Sequence, residues 1–137
     1  MKYLIILILL TIPNKVGYAA KSNKPDYYTI EARITYYHPH QDKWGSQVAD
    51  PNTSRAKHGV TVAAHPDFKF GQKIEIPHLS DHFGDPIFIV QDRGGAVTSK
   101  RASRGKGYVF DVFCKDIKTY KRMIKNKEWM TVKVYRK

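Results

Sequence analysis

The chain has 137 residues, with 24 Lys and Arg against 12 Asp and Glu, a formal charge of +12 and one cysteine. That length suits a single domain. One cysteine excludes an intramolecular disulfide, so a domain of this size rests on its hydrophobic core. The excess of cations is the balance of a chain that binds polyanions.

Residues 1–19 read as a secretory signal peptide: Lys2 precedes the apolar run Tyr3 to Ile12, and Gly17-Tyr18-Ala19 offers small residues to a signal peptidase. The apolar run is short for a bilayer span, so the sequence predicts cleavage near Ala19, export to the periplasm or beyond, and no membrane span thereafter. Loss of Lys2 and Lys15 leaves the mature chain at about +10. Residues 20–28 are polar, contain Pro25 and read as a short tether.

The domain is then expected over 29–137. Thr29 to Tyr37 is β-branched and aromatic with partial alternation, the signature of a strand. His38 to His58 is a long loop with Pro39, Gly45 and Pro51, and its length points to a functional loop or a partial lid. Val60 to Ala64 is a short apolar strand, and His65-Pro66-Asp67 turns the chain. In Gly71 to Pro77, Ile74 and Ile76 alternate with Lys73, Glu75 and Pro77, which predicts a strand with Glu75 on its solvent side. Ser80 to Pro86 is a loop, and Ile87 to Val90 and Val109 to Phe113 are strands. Asp116 to Asn126 is the one good helix: Ile117, Tyr120 and Ile124 form an apolar face, Asp116 lies in the first turn, and Lys121, Arg122 and Lys125 lie toward the end, matching the helix dipole. Met130 to Tyr135 is the last strand. Five or six short strands, one helix and no βαβ rhythm predict a mainly β fold, a small closed barrel.

Two carboxylates stand where carboxylates are not expected. Asp111 is centred in the apolar run Tyr108-Val109-Phe110-Asp111-Val112-Phe113, although Asp is depleted in strands and seldom buried without a partner. Asp92 ends another apolar run, and Gly94-Gly95 after it lets the backbone turn sharply and a ligand approach. Asp111 is either a functional acid or a structural acceptor for backbone N–H groups or for Thr35; Asp92 is either functional or an ordinary turn residue. The basic stretch Lys100 to Lys106, with Arg101 and Arg104, separates the two aspartates and must lie near them. Cys114 reads as a small buried hydrophobe. The six histidines show no metal-ligand spacing, and no cofactor or metal is expected.

Gln91-Asp92-Arg93-Gly94-Gly95-Ala96-Val97 followed by Phe110-Asp111-Val112-Phe113, and preceded by the segments 60–66 and 70–77, resembles the 3D (three-aspartate) domain. That family is related to the barrel of membrane-bound lytic transglycosylase A, to rare lipoprotein A and to expansins. The resemblance covers residues 29 to 135 and implies a six-stranded double-psi β-barrel acting on cell-wall glycans. Asp111 matches the last aspartate of the pattern and Asp92 the one before the Gly-Gly turn; where the family has Asp before Pro, this chain has His65.

The resemblance implies a lytic transglycosylase in which Asp111 is the general acid and base, since a carboxyl group in apolar surroundings is held protonated toward neutral pH and can protonate a glycosidic oxygen. The 6-hydroxyl of N-acetylmuramic acid then attacks its own anomeric carbon. Asp92 would steady the oxocarbenium-like charge or position the sugar. Thr35, His65, Arg93, Gly94, Gly95, Lys100 and Arg101 would contact substrate. Tyr36, Tyr37 and Trp44 are candidates to stack on sugar rings, with Tyr37 equally suited to the core and Trp44, in a polar loop, the better surface platform. The expected partner is peptidoglycan or another anionic wall glycan, bound by a monomer. The alternative is an expansin-like module that grips glycan without cutting it. A nucleic-acid or polyanion binder is motivated by charge alone; no nucleic-acid motif is present, and an Asp-rich groove would repel phosphates.

Overall fold

The computed structural model describes residues 25–99 and 104–136; the expected signal peptide, most of the expected tether, and Lys100 and Arg101 lie outside the described residues. Among the described residues six strands form one sheet: β1 (Tyr27–Tyr37), β2 (Thr61–Ala63), β3 (Lys73–Glu75), β4 (Ile87–Asp92), β5 (Val109–Phe113) and β6 (Trp129–Tyr135). Their order is β1-β5-β2-β4-β3-β6, and the pairing of β6 with β1 closes the sheet into a barrel. β1 and β5 run parallel, as do β2 and β4, while the other neighbours are antiparallel. Closure leaves no open edge to be protected.

Alternation decides what fills the barrel. Ala32, Ile34 and Tyr36 of β1, Val62 of β2, Ile74 of β3, Phe88 and Val90 of β4, Phe110 and Val112 of β5 and Met130, Val132 and Val134 of β6 are all buried in one cluster. Cys114 joins them, buried as a small hydrophobe. Tyr36 therefore belongs to the core and is no sugar platform; burial pushes its phenol pKa up.

The strands begin and end close to where composition predicts them, with one shift of the domain boundary. β1 starts at Tyr27, because Tyr27 and Tyr28 pair with Tyr135 and Val134 of β6, and the Tyr27 and Tyr135 rings meet at 5.5 Å. Those tyrosines are strand and not tether. Arg136 fastens the entry by donating to the carbonyls of Pro25 and Tyr27. Glu75 lies half-buried on the outer side of β3, where it accepts from Lys133 Nζ at 3.0 Å and from the Tyr135 hydroxyl at 2.7 Å.

The helical segments differ more from expectation. Short helices α1 (Ser80–Phe83) and α2 (Gly95–Thr98) occupy stretches that read as loop and turn. The long helix α3 spans Ile117–Met123, with the Asp116 carboxylate capping it by accepting from Thr119 N–H at 2.7 Å. Its inward residues are Thr119, Tyr120 and Met123, whereas Ile117 and Ile124 are 43 % and 51 % exposed. The predicted apolar face holds only at Tyr120, which packs against the core: Met123 is buried in the core beneath the helix, and the two β-branched residues of that face are left outside. No helix among the described residues is long and apolar enough to cross a membrane.

Candidate active site

Thr35, Asp111, Ala63 and Asp92 lie side by side on four adjacent strands. Thr35 of β1 is the register partner of Asp111 on β5, Asp111 of Ala63 on β2, and Ala63 of Asp92 on β4. Simple alternation would not put Asp92 in this row, since it shares the parity of Phe88 and Val90 and would point into the barrel. A bulge makes the difference: Val62 pairs with Val90 but Ala63 pairs with Asp92, so the ladder skips Gln91 and the carboxylate turns to the outer face. Gln91 is held in the irregularity by the Thr61 hydroxyl, which donates to its side-chain oxygen at 2.6 Å.

The two aspartates flank the methyl group of Ala63, their Cα atoms separated by two strand spacings, roughly 10 Å. Beneath the row, Ala63, Val97, Val109 and Tyr37 form a second, smaller apolar cluster on the outer face, with α2 supplying Val97. Above it opens a cleft of about 530 Å³, walled by the 38–60 loop on one side and by residues 92–96 on the other.

The two carboxyl groups differ in environment. Asp111 is half-buried at the cleft floor and accepts from the Thr35 hydroxyl at 2.8 Å. Burial drives its pKa from the ordinary 3.8 to about 6; the Thr35 hydrogen bond opposes the shift and the nearby Asp92 charge adds to it. Asp92, 8 % exposed, accepts from three donors: the Tyr37 hydroxyl at 2.8 Å on one oxygen, and the Ala49 and Arg93 N–H groups at 2.9 Å on the other. One carboxyl group can gain and lose a proton near neutral pH, and the other is built into a hydrogen-bond network.

The remaining predicted residues divide between cleft and scaffold. Tyr37 is half-buried and lines the cleft; its ring packs edge-on against Phe113 at 5.2 Å, and burial followed by the Asp92 charge raises its phenol pKa, which keeps the hydroxyl a hydrogen-bond donor to Asp92. Trp44 is 59 % exposed at the cleft wall with Lys43 Nζ 4.9 Å from its ring. Gly94 and Gly95 also line the cleft; Gly94 is extended, and a Cβ on either would meet nothing within 4 Å, so these glycines leave an open wall and do not relieve backbone strain.

Arg93 reaches the cleft with its backbone, but its guanidinium donates to the carbonyls of Ala64 and Phe68 at 3.1 and 2.7 Å and lies 4.1 Å from the Phe70 ring. It ties down the 64–70 segment. His65 is not among the described residues that line the cleft: it sits beyond β2 with its ring 5.7 Å from Tyr108, and Asp67 N–H donates to its Nδ1.

Sequence reasoning did not single out Ala49, Ala63, Gln41, Asp42 or Gln47, all of which border the cleft. Only the length of the 38–60 loop signalled the last three. Ala49 acts through its backbone N–H, which any non-proline residue supplies, and Ala63 matters for what it lacks. Comparison with protein-family models and with curated proteins found no match for this chain.

Proposed function

We propose that this chain is an exported cell-wall-active enzyme, a peptidoglycan lytic transglycosylase built on a double-psi β-barrel, with Asp111 as its general acid and base. Two parallel strand pairs joined through the antiparallel contact of β2 with β5 support the double-psi topology. The observation that carries the function is Asp111: a carboxyl group with a pKa of about 6, on the floor of an open cleft and opposite a second carboxylate.

Such a group is protonated often enough near neutral pH to protonate a glycosidic oxygen, and its conjugate base is strong enough to take the proton of the attacking hydroxyl. Ala63 leaves room for a sugar ring over the floor, and the exposed Trp44 ring offers an apolar face to the next one along. The net positive charge of the chain favours an anionic wall.

The same exposed Trp44, with Lys43 beside it, also fits a module that grips glycan without cutting. One experiment separates the two. Mature protein is incubated with purified sacculi and the soluble products are analysed by mass spectrometry: anhydro-muropeptides support the transglycosylase, reducing-end sugars a hydrolase, and binding without release the module.

A further inference from the structure

The connection between β1 and β2, residues 38–60, contains no strand or helix of its own, and a segment of that length needs specific contacts to hold one shape. Part of it is braced internally. Gln41 N–H donates to the His38 carbonyl at 3.1 Å, Trp44 N–H to Asp42 Oδ1 at 2.9 Å and Gln47 N–H to the Trp44 carbonyl at 3.0 Å. These bonds shape the turn that presents Trp44 without attaching it to the barrel.

Attachment comes a few residues later. Ala49 N–H donates to Asp92 Oδ1 and Asp50 N–H to the Gln91 carbonyl, both at 2.9 Å, so the loop is seated on the bulged end of β4. Of those two acceptors only the Asp92 carboxylate also reaches other elements. Its Oδ2 accepts from Tyr37 at the end of β1 and its Oδ1 from the first residue after β4. One side chain, 8 % exposed, therefore joins β1, β4 and the loop. Its oxygens face protein donors, and little of it is left to contact a sugar.

We infer that Asp92 is a positioning residue that pins the β1–β2 loop, and with it the Trp44 ring, to the rim of the barrel, and is not a second catalytic carboxylate. The bulge at Gln91 has a purpose on this view, because without it the carboxylate would point into the core and the loop would have no seat. The role of Trp44 as a sugar platform rests on the cell-wall reading above; the pinning does not.

The test is hydrogen exchange of the mature protein, followed by mass spectrometry, on wild type, Asp92→Ala, Asp92→Asn and Tyr37→Phe, with sacculus binding and product release measured in parallel. Asp92→Ala removes all three hydrogen bonds, and exchange over residues 41–50 should rise about 10–100-fold while β5 and β6 stay protected. Asp92→Asn should recover most of that protection, because its carbonyl still accepts from Ala49 and Arg93 and its amide can donate to the Tyr37 hydroxyl oxygen. Sacculus affinity should follow loop protection across the series, falling about five- to tenfold in Asp92→Ala, with turnover at saturation affected less.

Loop exchange in Asp92→Ala within about twofold of wild type, or equal loss in Asn and Ala, would overturn the inference. So would an Asp92→Asn protein with a protected loop but product release reduced by about 100-fold, since the missing charge would then act on the sugar itself. Should Asp92→Ala unfold globally, seen as uniform exchange in all strands, Tyr37→Phe decides: loss of its single donor should raise loop exchange about three- to tenfold, and no rise refutes the pin. If wild type releases nothing from sacculi, the transglycosylase reading fails while the exchange series still decides the role of Asp92.

Discussion

Replacing Asp111 by Asn should make the protein more stable at pH 8 and leave it nearly unchanged at pH 4. In the folded state the carboxyl pKa stands at about 6 against an ordinary 3.8, because burial penalises the charged form. Folding therefore favours the protonated acid: its contribution is fully present below about pH 4 and is lost as pH rises through 6. At about 1.4 kcal/mol per pH unit, the difference amounts to about 3 kcal/mol above pH 7, an upper limit because the group is only half-buried at the floor of an open cleft. Asn keeps the oxygen that accepts from Thr35 but carries no charge to bury, so the penalty disappears. Urea denaturation of wild type and Asp111→Asn at pH 4, 6 and 8 measures the effect, and the variant should gain between one and three kcal/mol across that range, flattening above pH 7. A stability difference that does not change between pH 4 and pH 8 would refute the assignment of a raised pKa to this residue. A site that is stabilised by losing its acid is the expected signature of a group kept for chemistry.

On the proposed transglycosylase reading the same carboxyl group would set the pH dependence of activity: release of anhydro-muropeptides should fall as pH rises above about 6, and Asp111→Asn should lower it by about 10²–10⁴-fold with sacculus binding retained. Thr35→Val removes the hydrogen bond that holds the Asp111 pKa down, so the basic limb of the activity profile should move to higher pH; an unmoved limb would break the link between the two residues. Trp44→Ala should weaken sacculus binding by about five- to tenfold in a pull-down at fixed salt, without changing the melting temperature, because the ring is exposed. Phe110→Ala, which empties the centre of the barrel, should cost about 3–5 kcal/mol in the same denaturation experiment.

Much of the barrel was legible because strands advertise themselves locally. Val109 to Phe113 is β-branched and aromatic on both sides of Asp111, and its bounds in the structure are those its composition predicts. The partnership of Thr35 with Asp111 was foreseeable for a related reason, since a carboxyl group inside an apolar strand needs a donor and Thr35 lies on a neighbouring strand of suitable character. α3 was misjudged because an apolar period in a short helix does not say which face the rest of the chain will cover. Ile117 and Ile124 keep the right spacing, but Thr119 and Met123 face the barrel.

What the sequence alone determined is the strand-rich chain with an excess of cations, a single cysteine that cannot form an internal disulfide, and an aspartate embedded in an apolar strand. Those features depend on residue types and near neighbours. Only the tertiary structure decided that Asp92 joins Asp111 on the outer face, that Ala63 lies between them, that Arg93 turns to backbone carbonyls and that His65 stays off the cleft. Each of these follows from register between strands far apart in sequence. A single skipped residue at Gln91 reverses the direction of a side chain, and no local pattern records that skip, because it is set by which residues of β2 and β4 find each other when the barrel closes.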